Sequence, residues 1–345
     1  MRMLVVGCGS RDRGALFHDQ LVESLRFLGH EVVTLASDQA VDTQRLATTL
    51  NRYEPDVLVH VPTAGGPSAA MIREATKASG TVSLCLHRGR ACEVAPTRLD
   101  DLLVDLHQYD LVAVPDGHTY EAFGGDVLPH LSVVPGAVHL PGLAKVVPSD
   151  RRGVVFVGAA DPANVDVIAA LENLDEVVVV GPGWDEVPLG IHRVEPTSLI
   201  ELGTVLAGAQ LMVELPVSLE HQSAQRCSHH ETSLCDEVLI AAAVGTPSIV
   251  IARPGVDELL VSGDEVVTCE TAEDLVSLVP MLLASADALA LVGDAAWDRV
   301  TREHSWASRW TTVFDRWVDP HETDADEDVR RVRSDAPAPA AVPSR

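Results

Sequence analysis

Residues 241–279 read AAAVGTPSIVIARPGVDELLVSGDEVVTCETAEDLVSLV, and the chain continues to REHSW at 302–306. In order this gives the small-residue end of a helix, a Gly245-Thr246-Pro247 turn and a buried strand. A Pro254-Gly255 loop, an acidic helix start at Asp257-Glu258, a short strand and two helices follow. Apolar strands alternating with helical periodicity predict a parallel sheet covered by helices on both faces.

The same alternation runs outward from this segment. Toward the N-terminus, MLVVGCG (3–9) reads as a strand ending in a glycine turn. Leu16, Leu21, Leu25 and Leu28 then recur at helical spacing, with Gly29 at the natural stop. HEVVTLAS, PDVLVHVPT, TVSLCLH, LVAVP and LSVVPGAV are further strands. Helices are expected at 41–53, at 67–79 and over DDLLVDLHQYD. Crossovers between such parallel strands are expected to be right-handed.

Pro141–Arg152, PGLAKVVPSDRR, interrupts the pattern with proline, glycine and charge. The alternation restarts at RGVVFVGA, with helices expected at 162–173, 197–208 and 233–244 and strands at EVVVVGPGW, AQLMVELP, PSIVIA and EVVTCE. The division is therefore a first Rossmann-like domain over 1–145, a second over 151–300, a crossing helix over 301–318 and an acidic, Ala-Pro-rich tail over 319–345. The tail has almost no large apolar residues and reads as disordered.

The totals limit what this chain does. Its 345 residues suffice for two domains. Aromatics are 4% against 46% hydrophobic residues, so the cores must be aliphatic. The net charge is -26, with lysine only at Lys77 and Lys145. Such a surface repels polyanions and argues against nucleic acid as a partner. No apolar run reaches the roughly 18 residues of a bilayer span, and the N-terminus lacks a signal peptide's apolar stretch, so a cytoplasmic location is expected. Cys8, Cys85, Cys92, Cys227, Cys235 and Cys269 follow no repeating spacing, which favours free thiols there.

In doubly wound sheets ligands bind beyond the carboxyl ends of the strands. That rule selects six segments. Gly7-Cys8-Gly9-Ser10-Arg11 is either a cleft-lining, anion-receptive turn or a plain tight turn. It is not a dinucleotide fingerprint, because Asp12 stands where the third glycine belongs. His87, closing a strand, is placed to hydrogen-bond a sugar hydroxyl or a phosphate, with a structural loop histidine as the alternative. Phe156-Val157-Gly158 and Gly181-Pro182-Gly183-Trp184 are glycine turns, Trp184 either stacking on a base or serving as a lid or in packing. Ser228–Gly245 holds His229, His230, Glu231 and Glu237. With Cys227, Cys235 and His221 this stretch suggests a metal, but it has no C-x-x-C and no second pair, so no metal site is expected. The sixth is Gly255-Val256-Asp257-Glu258.

These turns together resemble the second half of a GT-B glycosyltransferase of the retaining, glycogen-synthase-like clan. Within that clan the FVG turn, the G-x-G-W turn and the HSW helix (His304–Trp317) are most similar to CgeB-type spore-maturation proteins. The resemblance implies two Rossmann-like domains facing across a cleft and transfer of a sugar from a nucleotide-sugar donor, with no metal and no cofactor. It implies His87 and Glu231 as catalytic candidates. Gly9, Ser10, Gly158, Gly181, Gly183, Trp184, His229, His230, Glu237, Gly255 and Glu258 are implied around the donor, with Glu258 capping the next helix.

The chain departs from the pattern in two places. The two glutamates expected eight positions apart fall on Thr232 and Ile240, and only Glu231 and Glu237 are near enough to compensate. No arginine or lysine follows Gly158 in AADPANVDVIAAL, so the diphosphate needs backbone amides, a helix N-terminus or an arginine such as Arg226 or Arg253. The departures keep open a degenerate GT-B protein serving as a binding or partner subunit, and a non-hydrolysing 2-epimerase shares the fold. Nothing in GGPSAAM (65–71) or HRGRACEVAP (87–96) marks an acceptor class, and a homodimer stays open.

Overall fold

The computed structural model describes residues 1–7, 13–35, 41–63, 66–88, 96–124, 128, 130–146, 150–171, 173–215, 236–252 and 255–318. The first sheet holds β1 (Arg2–Val6), β2 (Glu31–Leu35), β3 (Val57–His60), β4 (Val82–Leu86), β5 (Leu111–Val114) and β6 (Leu131–Val133). All pairs are parallel, in the order β2-β1-β3-β4-β5-β6. Between the strands lie α1 (Arg13–Phe27), α2 (Thr43–Tyr53), α3 (Ala69–Ser79), α4 (Pro96–Leu106) and α5 (Gly117–Phe123).

A short α6 (Leu140–Leu143) leads into the second sheet. Its strands are β7 (Val154–Val157), β8 (Val177–Val180), β9 (His192–Val194), β10 (Leu211–Glu214), β11 (Ser248–Ile251) and β12 (Val267–Cys269). They are parallel in the order β12-β11-β10-β7-β8-β9. Its helices are α7 (Pro162–Ala170), α8 (Leu199–Ala207), α9 (Asp236–Ala243), α10 (Ala272–Leu283) and α11 (Ala286–Glu303), and α12 (Trp306–Val318) closes the described chain.

Strand periodicity explains the two-sided cores. Successive residues point to opposite faces. Met3 and Val5 of β1 enter one cluster with Leu21 and Leu25 of α1, while Leu4 and Val6 enter another with Leu46, Leu50 and Ile72. In β7, Val155 and Val157 pack with α8 and α9, and Val154 and Phe156 pack with α7 and α10. A continuous apolar strand is what a sheet covered on both faces requires. Helix starts are set by short polar side chains: Asp42, Ser68, Asp161 and Ser198 each accept from a first-turn amide. Thr271 and Asp274 form a reciprocal capping box on α10.

The final helix returns to the first domain. Trp306 and Trp310 are 2% and 0% exposed and lie in the cluster built by α1 and the first sheet. Trp310 Nε1 donates to Ser24 Oγ of α1 at 3.0 Å. No single described helix is long and apolar enough to cross a membrane, and the α10–α11 pair bends by 105°. Leu275, Val279 and Leu289 of that pair are core residues.

Three local expectations change. The helix expected after Gly255 is a single turn. Leu259 and Leu260 amides both donate to the Val256 carbonyl, and the described residues between β11 and β12 hold no helix. Asp257 Oδ1 accepts from the Ser262 amide and Glu265 Oε2 from the Val261 amide, so carboxylates take the place of helical carbonyls. Glu258 therefore caps no helix. Second, α5 arises where no element was assigned; Asp116 caps it through the Thr119 amide at 2.6 Å. Third, α4 starts at Pro96 and stops at Leu106, four residues short of the expected end.

Candidate functional site

Each sheet reverses its strand order once, between β1 and β3 and between β7 and β10. A glycine sits at each reversal. Gly7 has φ +99°, and a Cβ there would lie 2.0 Å from the Val61 carbonyl oxygen. A Cβ on Gly158 would lie 2.5 Å from Cβ of Leu215. Neighbouring strands leave no room for a side chain at either point. Both openings are therefore lined by backbone, which suits close approach of a ligand.

The loops after β7 and β8 are knitted together. The Gly158 amide donates to the Val180 carbonyl at 3.0 Å and the Ala160 amide to the Pro182 carbonyl at 2.9 Å. Gly181 and Gly183 lie on this turn, which ends in a 3-10 segment at Trp184–Glu186. Trp184 is 2% exposed, packs in the α7/α10 core, and its Nε1 donates to the Gly158 carbonyl at 2.9 Å. The structure thus resolves the two readings of this indole: it packs, and it offers no face for base stacking. Arg193, which sequence reasoning passed over, fastens the same turn by donating to the carbonyls of Trp184, Val187 and Leu189.

From the first domain, His87 follows β4 directly. Its amide donates to the Ala113 carbonyl, and its ring lies 5.7 Å from the Phe123 ring of α5. Nε2 is buried and has no hydrogen-bond partner among the described residues. Burial lowers its pKa to about 4, so the imidazole is neutral at pH 7 and keeps one nitrogen as donor and one as acceptor.

Arg88 extends from the same loop to the second domain. Its guanidinium lies 3.6 Å from the Phe17 ring centroid and pairs with Asp236, the first residue of α9. This cation-π contact and ion pair join the carboxyl end of the first sheet to a helix start of the second domain. Glu237 is next on α9. Ile240 is 2% exposed within the second domain's core, so that position on the helix points inward and no carboxylate belongs there.

Glu258 projects from the turn after β11, close to the first domain. Desolvation by neighbouring protein, then the charges of Asp116, which caps α5, and Glu121 on that helix, raise its pKa above the ordinary value. The residue is nonetheless exposed, and solvent screens that effect. α5 was the unexpected helix, so this acidic face was not legible beforehand; Asp116 before a short polar segment and Gly124 after it were the available signals. Glu214, 6% exposed at the carboxyl end of β10 beside the reversal, was also missed. Gly255 lies on the same turn as Glu258. Gly9, Ser10, His229, His230 and Glu231, as well as Arg226 and Arg253, fall outside the described residues.

Residues 164–315 match the sequence profile of a family described as glycosyl transferase-like. A comparison with curated proteins gives no match. Among solved structures, the fold is similar to Anabaena HepE in complex with UDP-glucose, with a TM-score of 0.66 at 12% identity over 92% of this chain and 100% of that one. It is also similar to sucrose-phosphate synthase from Thermosynechococcus elongatus, with a TM-score of 0.69 at 14% identity over 93% and 99%. A glycosyltransferase from Rickettsia africae ESF-5 gives 0.65 at 11% identity over 94% and 99%.

Proposed function

We propose, from the GT-B fold of this chain with its two parallel six-stranded sheets and helices on both faces, that it transfers a sugar from a nucleotide-sugar donor to an acceptor, with retention at the anomeric carbon and without metal or cofactor. The observation that carries the reading is the Arg88–Asp236 pair. It turns the carboxyl end of the first sheet, with His87, toward the start of α9, on the same domain as Gly158, Gly181, Gly183 and Gly255.

In this reading the second domain holds the nucleotide and the first the acceptor. The bond from the anomeric carbon to the diphosphate breaks, and one to the acceptor forms on the same face. Negative charge then develops on the leaving group. In this reading the start of α9, Arg88 and the glycine-turn amides other than those of Gly158 and Ala160 meet it. Arg88 supplies the cation missing after Gly158. Neutral His87, with its buried Nε2 unengaged, hydrogen-bonds a sugar hydroxyl. The FVG and G-x-G-W turns keep the likeness to CgeB-type proteins, and the reaction is placed in the cytoplasm.

The test is a thermal-shift panel of UDP-, GDP- and ADP-sugars. Binding to the folded state alone raises the melting temperature by mass action. At least one donor is expected to do so, and anomeric NMR of the product then reads retention. Absence of a shift across the panel overturns the proposal. A donor that binds and is never turned over favours the binding-subunit reading, which the apolar Ile240 supports.

A further inference from the structure

His304 connects three parts of the molecule that are distant in sequence. Its backbone carbonyl accepts from the Val138 amide at 3.0 Å, and the Val138 carbonyl accepts from the Trp306 amide at 3.1 Å. These bonds form the bridge where the chain crosses back to the first domain. Its ring, in a residue 4% exposed, reaches the other way: Nε2 lies 2.7 Å from the Leu259 carbonyl oxygen. Leu259 adjoins Glu258 on the turn that follows β11. Arg309 of α12 completes the chain, with Nη2 2.7 Å from His304 Nδ1.

The partners dictate the tautomer. A guanidinium only donates and a carbonyl only accepts. Nδ1 must therefore accept from Arg309, and Nε2–H must donate to Leu259. Each ring nitrogen is used once, in a buried residue. A second proton would set two donors against each other at Arg309, in line with a pKa lowered to about 4 by burial and then by Arg309. The turn it holds is otherwise anchored by Asp257, Glu265 and buried Val256, Leu259 and Leu260. His304 alone ties that turn to the domain crossing among the described hydrogen bonds.

Resting on the donor reading above, we propose that His304 is a positioning residue for donor binding. Its ring, oriented by Arg309, holds the Gly255–Leu260 turn and Glu258 in register with the interdomain crossing that its own backbone forms.

The test compares His304→Phe, Arg309→Met and His304→Gln with the wild type. Glutamine offers an acceptor oxygen for Arg309 and an NH2 donor for the Leu259 carbonyl, so it is the variant expected to retain the bonds. With UDP-glucose as the probe, the Phe and Met variants should weaken binding about tenfold, the worth of one lost hydrogen bond, and Gln should stay within about threefold of wild type. Hydrogen exchange of the free protein reads the same clamp without a donor. Residues 256–262 should exchange faster in the Phe and Met variants, relative to 248–251, and at the wild-type rate in the Gln variant. Wild-type exchange in His304→Phe overturns the clamp. Faster exchange with wild-type UDP-glucose affinity, or a lowered melting temperature alone, overturns its role in donor binding. A wild-type protein that binds no sugar nucleotide overturns the functional reading, while the exchange measurement still decides the clamp.

Discussion

Trp184 Nε1 donates to the carbonyl oxygen of Gly158 at 2.9 Å across 26 residues. With the Gly158–Val180 and Ala160–Pro182 backbone bonds, this side-chain bond fixes the turn after β8 to the turn after β7, at the opening of the second sheet. The indole is buried and the glycine has no space for a Cβ. The rim proposed to receive the donor is therefore held from behind.

Trp184→Phe keeps most of the packing and removes the donor. The Gly158 carbonyl then lacks its partner in a buried setting. A loss of about 1–3 kcal/mol is expected, with a smaller nucleotide-sugar thermal shift than wild type. Chemical denaturation measures the first and a donor titration the second. Unchanged stability would show that the bond contributes nothing.

Gly158→Ala places a methyl where Leu215 already stands, at 2.5 Å between the two Cβ positions. Backbone must move, and overpacking of this kind costs about 1–3 kcal/mol. Ala160→Gly on the same loop relieves no clash and serves as the control. Equal melting temperatures for the two variants would sink the steric argument.

His87→Ala removes a neutral imidazole whose Nε2 has no described partner. Folding stability should change by less than about 1.5 kcal/mol, since no hydrogen bond of that nitrogen is lost. Donor turnover should fall at least about tenfold if the ring binds a sugar hydroxyl. Because its pKa is about 4, wild-type turnover should not titrate on account of His87 between pH 6 and 8. A His87-dependent step near pH 6.5 contradicts this environment.

His60 makes acid sensitivity predictable. It is 1% exposed, its Nδ1 lies 2.5 Å from Tyr109 Oη, and burial lowers its pKa from 6.5 to about 4. The unfolded chain binds this proton more readily than the folded one. The contribution to stability is thus complete above pH 6.5 and is lost as pH falls toward 4. It amounts to no more than about 3 kcal/mol. His60→Gln should show a shallower loss of melting temperature between pH 6.5 and 4.5; identical slopes would exclude His60 as a source.

Arg88→Gln and Asp236→Asn remove the pair that spans the cleft. The side chains are 42% and 16% exposed, so the coupling in a double-mutant cycle should be modest, about 0.5–1 kcal/mol. Scattering should show a larger radius of gyration if the pair holds the domains together. Nucleotide-sugar affinity should fall for Arg88→Gln and fall less for Asp236→Asn, because in the proposed reading only the arginine meets the diphosphate. The reverse order would remove Arg88 from the donor site.

Much of this protein was determined by local pattern alone. Strands such as Val154–Val157 are apolar at every position, and only a sheet covered on both faces buries such a run. Glycines at Gly7 and Gly158 stand where strands end, and the helical returns between them predict the doubly wound layers. Tertiary structure decided what local pattern does not encode. Whether Trp184 faces solvent or core depends on a carbonyl 26 residues away. Whether the turn at Gly255–Leu260 continues as a helix depends on the Asp257 and Glu265 carboxylates taking the next amides, those of Ser262 and Val261. Whether Arg88, Asp116 or His304 meets the second domain depends on how two sheets are set against each other. Periodicity is a property of neighbours in sequence, whereas a site is made by residues that only packing brings within reach.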